Sequence, residues 1–478
     1  MPRTEKTRNR IWWAVVAVLA VACLGVVAWL VPTVSSHRAE IFFDTADGAG
    51  AATSGEPAEG PVGALPSDAA LPDAAELGRR VDEVLAGAGG SAVGAQVLDV
   101  ETGQPLYSRD DAEPLAPASN LKVLTALSLL SHSHPEDRYR TESRLGAAPG
   151  SVTLVAGGDT MLSDGASDPA DVMGRAGLGD LAEQTVGSLE RRGVEGPQQV
   201  RLDASRFSGP ALNPAWSPED LALGYATGVH PIALWDHHTA RPQFPEDVSG
   251  RPADAGLDAL NAYVTALNAA AGDSGLSFSA APDPRQLPAG DADGARLGGV
   301  SSATVLEQAT YMMENSDNVL AEVLGRNAAI AAGEEGSLEG GEAAIRRALA
   351  EVGVGVDGLV LEDLCGLAPG NRVTTATLAS AMAAAARGDG PVADLPGTLP
   401  VAAGSGTLAD RFDDPAEQPA AGYARAKTGT LLEVTGLTGI TTTSQGRLLA
   451  FSLLVNDLDD AGAARDALDT AVADLSTS

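Results

Sequence analysis

The distribution of apolar positions changes character several times along the chain. From residue 11 to residue 31 it is unbroken: Ile11, Trp12, Trp13, Ala14, Val15, Val16 and on to Leu30 and Val31, without a charge. A run of roughly twenty residues matches the hydrocarbon thickness of a bilayer. Trp12, Trp13 and Trp29 stand near its ends, where interfacial aromatics sit. A secretory signal would need an apolar stretch of only about 7–15 residues and a small-residue cleavage site, and no such site follows at once. The pattern therefore predicts an uncleaved transmembrane anchor over 11–32. The basic tail before it, 1–10, carries Arg3, Lys6, Arg8 and Arg10 and is expected to stay in the cytoplasm, so the rest of the chain faces out. Residues 33–75 lose all periodicity. Their Gly, Ala, Pro, Ser, Asp and Glu predict a disordered extracytoplasmic linker.

Beyond 75 the periodicity returns. Residues 75–85 have helical spacing. Residues 92–100 read as a strand, 101–104 as a turn and 105–108 as the returning strand of a hairpin. Pro117 signals a helix start just before Ser119. From about 140 to 300 proline and glycine become frequent and segments shorten, with strands at 152–155 and 200–203 and a helix at 181–191. This region, 141–300, reads as an inserted α+β domain. Helical spacing resumes over 302–314, 319–330 and 341–351. The end is β, with strands over 422–427, 434–440 and 447–455, closed by a helix over 461–475. The main domain is thus expected to be discontinuous, 76–140 and 301–478.

Charge and residue usage narrow the picture. Lys+Arg 31 against Asp+Glu 64 leaves a net charge of −33. Phosphate backbones need basic surface, so a nucleic-acid partner is excluded. The two cysteines, Cys23 and Cys365, lie in an apolar run and a distant soluble region, and no disulfide between them is expected. Lysine is the telling residue. There are three, Lys6, Lys122 and Lys427, and the other basic residues are arginine. Arginine can replace lysine on a solvated surface but cannot be deprotonated, so it cannot serve as a base.

Both lysines beyond the N-terminus stand in chemically suggestive company. Ser119 and Lys122 are one helical turn apart, which places a hydroxyl beside an amine able to take its proton. Ser316-Asp317-Asn318 separates two helical stretches. Lys427-Thr428-Gly429 ends a strand, followed by Thr430. S-x-x-K, S-D-N and K-T-G in this order are the signature of active-site serine penicillin-binding proteins and serine β-lactamases. The signature assigns Ser119 as nucleophile and Lys122 as its base. Ser316 can relay a proton to the leaving amine and Asn318 can hold the substrate amide. Lys427, with Thr428, would bind a terminal carboxylate and depress the Lys122 pKa. The backbone N–H groups of Ser119 and Thr430 are candidates for the oxyanion site.

The resemblance extends beyond the tripeptides. The sequence resembles the D-alanyl-D-alanine carboxypeptidase/endopeptidase family of class C low-molecular-mass penicillin-binding proteins (the penicillin-binding protein 4 type, peptidase family S13). Matching blocks are Pro117-Ala118-Ser119-Asn120-Leu121-Lys122, Leu399 to Leu408, Ala426 to Leu431, and Gly157-Gly158-Asp159 with Leu202 to Phe207 in the insertion. The resemblance implies an antiparallel five-stranded sheet flanked by helices, an all-helical region and a large inserted α+β domain. It implies hydrolysis of peptidoglycan stem peptides ending in D-Ala-D-Ala through an acyl-enzyme on Ser119, β-lactams as inhibitors, and no metal or cofactor. A serine β-lactamase shares acylation and differs in deacylation; a catalytically weak wall-binding protein is the alternative outside enzymes.

Departures are localised. The family's D-G-S-G-L-S-R block reads Asp363-Leu364-Cys365-Gly366-Leu367-Ala368-Pro369 here, and Arg372 lies three residues past the position expected for arginine. Asp159 is the candidate contact for a stem amino group, although an aspartate after two glycines is also an ordinary turn residue. His230, Asp236, His237 and His238 fit no zinc spacing and read as packing residues.

Overall fold

The computed structural model describes residues 69–478 apart from 245–246, 289 and 389. The expected cytoplasmic tail, the expected anchor over 11–32 and the expected linker up to residue 68 lie outside the described residues. Among the described residues no helix is long and apolar enough to cross a membrane.

In chain order the elements are α1 (Ala74–Leu85), β1 (Gly90–Asp99), β2 (Pro105–Arg109), a 3-10 turn (Ala118–Leu121) running into α2 (Lys122–His132), β3 (Arg138–Leu145), β4 (Ser151–Val155), α3 (Leu178–Arg191), β5 (Gly196–Asp203), α4 (Pro218–Leu223), α5 (Ala255–Ala271), β6 (Leu276–Ala280) and β7 (Arg296–Thr304). Then come α6 (Val305–Asn315), α7 (Asn318–Ala331), α8 (Leu338–Glu351), α9 (Thr375–Ala386), β8 (Arg425–Leu431), β9 (Val434–Thr442), β10 (Leu448–Leu458) and α10 (Ala461–Thr477).

The strands form two five-stranded sheets. The first has the order β2-β1-β10-β9-β8 and is antiparallel throughout. Both its faces are covered, which is why β1 and β10 read as near-continuous apolar runs. Leu77, Val81 and Leu85 of α1 and Leu468 and Val472 of α10 pack on one face with Val97, Phe451 and Leu453. On the other face Leu98, Ala450 and Leu454 lie against α9 and join the core that also holds α2, α7 and α8. Helix α2 is enclosed: Val123, Leu124, Leu127, Leu129 and Leu130 are all buried.

The second sheet, β6-β5-β4-β3-β7, belongs to the insertion and is mixed: β4, β5 and β6 run parallel and β3 pairs antiparallel with β4 and β7. The helix expected from 302 starts later. Residues 302–304 continue β7, and Thr304 then caps α6 by a capping box with Glu307. A larger departure concerns residues 213–229 within the insertion; Ile232 and Leu234, just beyond, pack with the second sheet. Trp216, Ala226 and Val229 pack with the core around α2, away from the second sheet. The long connection is therefore a wall of the main domain.

Candidate active site

The site is built where an unusual turn enters α2. Ala118 has φ +47°, a left-handed conformation that costs a residue with a Cβ about 1 kcal/mol. That turn sets Ser119, half-buried, at the surface end of a buried helix. The sheet is cut away to receive it. Gly429 and Gly436 face each other on β8 and β9, and a Cβ on either would stand 2.4 or 2.8 Å from Asn120 Nδ2. Asn120, itself buried, donates to Pro117 O at 3.0 Å and closes the turn.

Lys122 is 0% exposed and makes three contacts. Its Nζ lies 2.8 Å from Ser119 Oγ, 2.7 Å from Asn318 Oδ1 and 2.8 Å from Cys365 O. The Asn318 amide is oriented by its own Nδ2, which donates to Tyr225 O at 3.0 Å. A neutral amine has two N–H bonds and a lone pair. As an ammonium, Lys122 donates to all three, Ser119 Oγ included; in the neutral form the acceptors Asn318 Oδ1 and Cys365 O would take its two N–H bonds and leave the lone pair for the Ser119 hydroxyl. Burial pushes the Lys122 pKa down; the carboxylates Asp363, Asp317 and Glu322, with Cys365, pull it back up. Desolvation thus brings this lysine down, in place of the expected repulsion from Lys427. The repulsion is visible on the other partner: burial first, then Lys122 and Arg411, holds Lys427 well below the usual lysine range.

Lys427 is buried on β8, and its Nζ donates to Thr428 O at 2.8 Å. Thr428 Oγ1 donates to Thr407 Oγ1 at 2.9 Å, so the block from Leu399 to Leu408 braces this strand. Thr430 is exposed at the cleft. Ser316 caps the C-terminus of α6 at φ +56°, a conformation that turns the chain sharply into α7. Asp317 caps α7 by accepting Leu320 N at 3.0 Å, and Asn318 is the first residue of that helix. Ser119, Ser316, Asn318 and Thr430 line one cleft of about 600 Å³, within the range of small-ligand sites.

A family model described as the D-Ala-D-Ala carboxypeptidase 3 (S13) family matches residues 77–287 and 240–475. A carboxypeptidase of Mycobacterium tuberculosis is 36% identical over 408 residues, 84% of each chain. Carboxypeptidase DacB of Mycolicibacterium smegmatis is 34% identical over 426 residues, 88% of each chain. The chain belongs to the S13 family of D-Ala-D-Ala carboxypeptidases. Its fold is that of penicillin-binding protein 4 from Haemophilus influenzae, whose crystal structure matches with a TM-score of 0.65 at 18% identity, over 84% of this chain and 98% of that one.

The rest of the S13 cleft comes from residues that carry no motif. Asp220 and Leu223 of α4, Tyr225, Asp247 and Arg251 line it from the wall folded out of the insertion. The arrangement of that wall depends on close approaches that no local pattern signals: Gly224 sits where a Cβ would be 2.0 Å from Val248 O, and Arg251 donates from Nε to Gly224 O at 3.2 Å. Asp159 is corrected. It is 1% exposed and does not line the cleft; its carboxylate accepts Met161 N at 2.9 Å, and burial pushes its pKa up to about 7. The preceding Gly158 donates to Pro231 O and accepts from Asn327 Nδ2, so this turn is a packing joint between insertion and α7. The histidines pack as the sequence suggests. His230 N donates to His237 Nε2 at 3.1 Å, and burial pulls their pKa values to about 4 and about 3.

Proposed function

We propose that this S13 carboxypeptidase works through an acyl-enzyme on Ser119, with Lys122 as the general base. Ser119 Oγ attacks the carbonyl carbon of the penultimate D-alanine and passes its proton to the Lys122 lone pair. The oxyanion is received by the backbone N–H groups of Ser119 and Thr430; β8 is an edge strand, which leaves alternate backbone groups free for substrate. As the C–N bond breaks, Ser316 conveys a proton to the departing amine. Water then hydrolyses the ester and regenerates Ser119.

Thr430 faces the cleft and receives the terminal carboxylate, with Lys427 and Thr428 buried on β8 behind it. Gly429 lets the substrate backbone lie close to β8. Asn318 holds the penultimate amide as well as the lysine. With Asp159 away from the cleft, Asp220 on α4 is a lining carboxylate, beside Asp247, that can meet a cationic group on the stem side chain. A cross-linked stem presents the same carbonyl with a longer leaving amine, so endopeptidase cleavage uses the same machinery. A β-lactam presents its strained amide to Ser119 in the same way; the H. influenzae protein has also been seen in complex with a β-lactam. Residues 11–32 anchor the chain in the cell membrane, with 1–10 inside, 33–75 as a tether, and the catalytic domain (76–140, 301–478) with its insertion on the wall side.

The observation that carries the mechanism is the Lys122 geometry, with two acceptors fixing the amine and Ser119 in the remaining direction. Fluorescent penicillin labelling of wild type and Ser119→Ala tests it. Label on wild type alone, lasting many minutes, is expected. Equal labelling of both sinks the nucleophile assignment, and rapid release of hydrolysed drug would make the protein a β-lactamase.

A further inference from the structure

We propose that Asp363 is the positioning residue for Lys122, and that it sets the base in register with the cleft wall of residues 213–225. The inference rests on Lys122 being the base.

Asp363 is fully buried at the head of the altered block. Its Oδ1 accepts Cys365 N at 3.2 Å, Gly366 N at 2.7 Å and Asn371 Nδ2 at 2.8 Å. Its Oδ2 accepts Ala368 N at 2.6 Å, Trp216 Nε1 at 3.1 Å and the Cys365 thiol at 3.4 Å. A carboxylate oxygen has about two lone-pair sites, so both oxygens are filled and the loop is tied in one conformation. Glu322, Asp363 and Cys365 bring ligand-type atoms within 4.8 Å of one another. The Asp363 oxygens are occupied by protein donors, whereas Glu322 Oε2 is buried without a hydrogen-bond partner.

What the tied loop presents is the carbonyl of Cys365, the acceptor that takes one Lys122 N–H. The neighbouring Leu364 is held on both sides, by Thr125 Oγ1 of α2 donating to its carbonyl at 2.6 Å and by its N–H donating to Glu322 Oε1 at 2.6 Å. Gly366, at φ +91°, passes so close to the nucleophile turn that a Cβ would stand 1.9 Å from Ala118 O. The loop therefore fixes both the amine and the backbone beside Ser119. If the carbonyl turned away, one Lys122 N–H would be released and the lone pair would lose its aim.

The same carboxylate reaches the wall. Trp216 is bound to Asp363, and Asn213 Nδ2 donates to Glu362 O at 2.7 Å. These residues lead directly into α4, which carries Asp220 and Leu223 of the cleft. Substrate wall and base thus hang on one side chain. The block that departs from the family pattern keeps this aspartate and the Cys365 carbonyl, and neither needs the missing serine or arginine side chains.

Asp363→Asn keeps the shape and replaces one acceptor oxygen by a donor. The charged or titratable groups around Lys122 are Asp363, Asp317, Glu322, Cys365 and Lys427. Removing the Asp363 charge weakens the ammonium form, so the acid limb of the acylation rate should move to lower pH. Misalignment should lower the plateau roughly 10- to 100-fold, with KM for a D-Ala-D-Ala peptide held within about twofold. An unchanged plateau, an unmoved limb, or a loss confined to KM overturns the proposal; a smaller folded fraction would scale the plateau without moving the limb. If Asp363→Asn shows no cooperative melt, Trp216→Phe decides. It should lower kcat several-fold at constant KM, and an unchanged kcat overturns the proposal. Ser119→Ala in each background reports separately on the underlying mechanism, because label surviving there would refute the nucleophile and leave Asp363 aside.

Discussion

Lys122 is a lysine that water does not reach, and its chemistry follows from that. Arginine stays protonated when buried, so Lys122→Arg should slow penicillin acylation by roughly 10²–10⁴-fold, measured as the rate of label incorporation. In the wild type the rate should rise with pH as the ammonium loses its proton. Because burial lowers that pKa, the plateau should arrive below about 10.4, the ordinary lysine value. Burial acts on carboxyls in the opposite sense. Asp159 is pushed up to about 7. A folded pKa above the unfolded value of about 3.9 means the fold binds the proton more tightly, so stability is present at low pH and is lost as pH rises through about 7. Asp159→Asn keeps an acceptor for Met161 N and removes the titration. It should raise Tm more at pH 8 than at pH 4, as thermal melts in the two buffers would show. The sequence marked Ser119, Lys122, Ser316, Asn318 and Lys427 because their chemistry is tied to residue type and short spacing. It misplaced Asp159 because burial is not a local property, and the same limit hid Asp220.

At the scale of elements, the nucleophile turn and the third-motif strand are fitted to each other through missing side chains. Gly429 on β8 and Gly436 on β9 leave the space that Asn120 fills. Gly429→Ala should push the Ser119 turn off the strand, abolish labelling and cost about 1–3 kcal/mol of stability, the usual penalty for overpacking. Chemical denaturation and labelling of the same sample would check both. Around this joint β1, β10 and α2 were legible because they are long and strongly patterned, but the strand expected over 422–427 lies at Arg425–Leu431, so Lys427-Thr428-Gly429 sits inside β8 and does not end a strand. Element ends were less so: β7 runs to Thr304 before α6 starts, since pairing with β3 outcompetes the helical pattern there.

For the whole molecule, the full chain should sediment with membranes and need detergent for release, while a chain beginning after residue 32 should stay in the supernatant and still take label. The insertion is where architecture exceeded expectation. Its strands form a separate mixed sheet, yet residues 213–229 pack on the core around α2, and Asp220, Tyr225 and Arg251 line the cleft. Asp220→Asn should raise KM for a stem peptide with a cationic third residue and leave penicillin acylation near wild type, because the β-lactam carries no such group. Steady-state kinetics on the two substrates would separate the effects.

The sequence by itself determined the reaction class, the residues proposed as nucleophile and base, and the order of the main elements. Those rest on short spacings and on the chemistry of scarce residues, which one linear string can display. Only the tertiary structure decided that Asp159 is a buried joint, that the cleft wall comes from the insertion, and that Cys365 serves through its carbonyl. Each of these depends on which distant segments exclude water from one another. Trp216 and Asp363 are 147 residues apart in the chain and 3.1 Å apart in space, and no periodicity along the chain encodes that meeting.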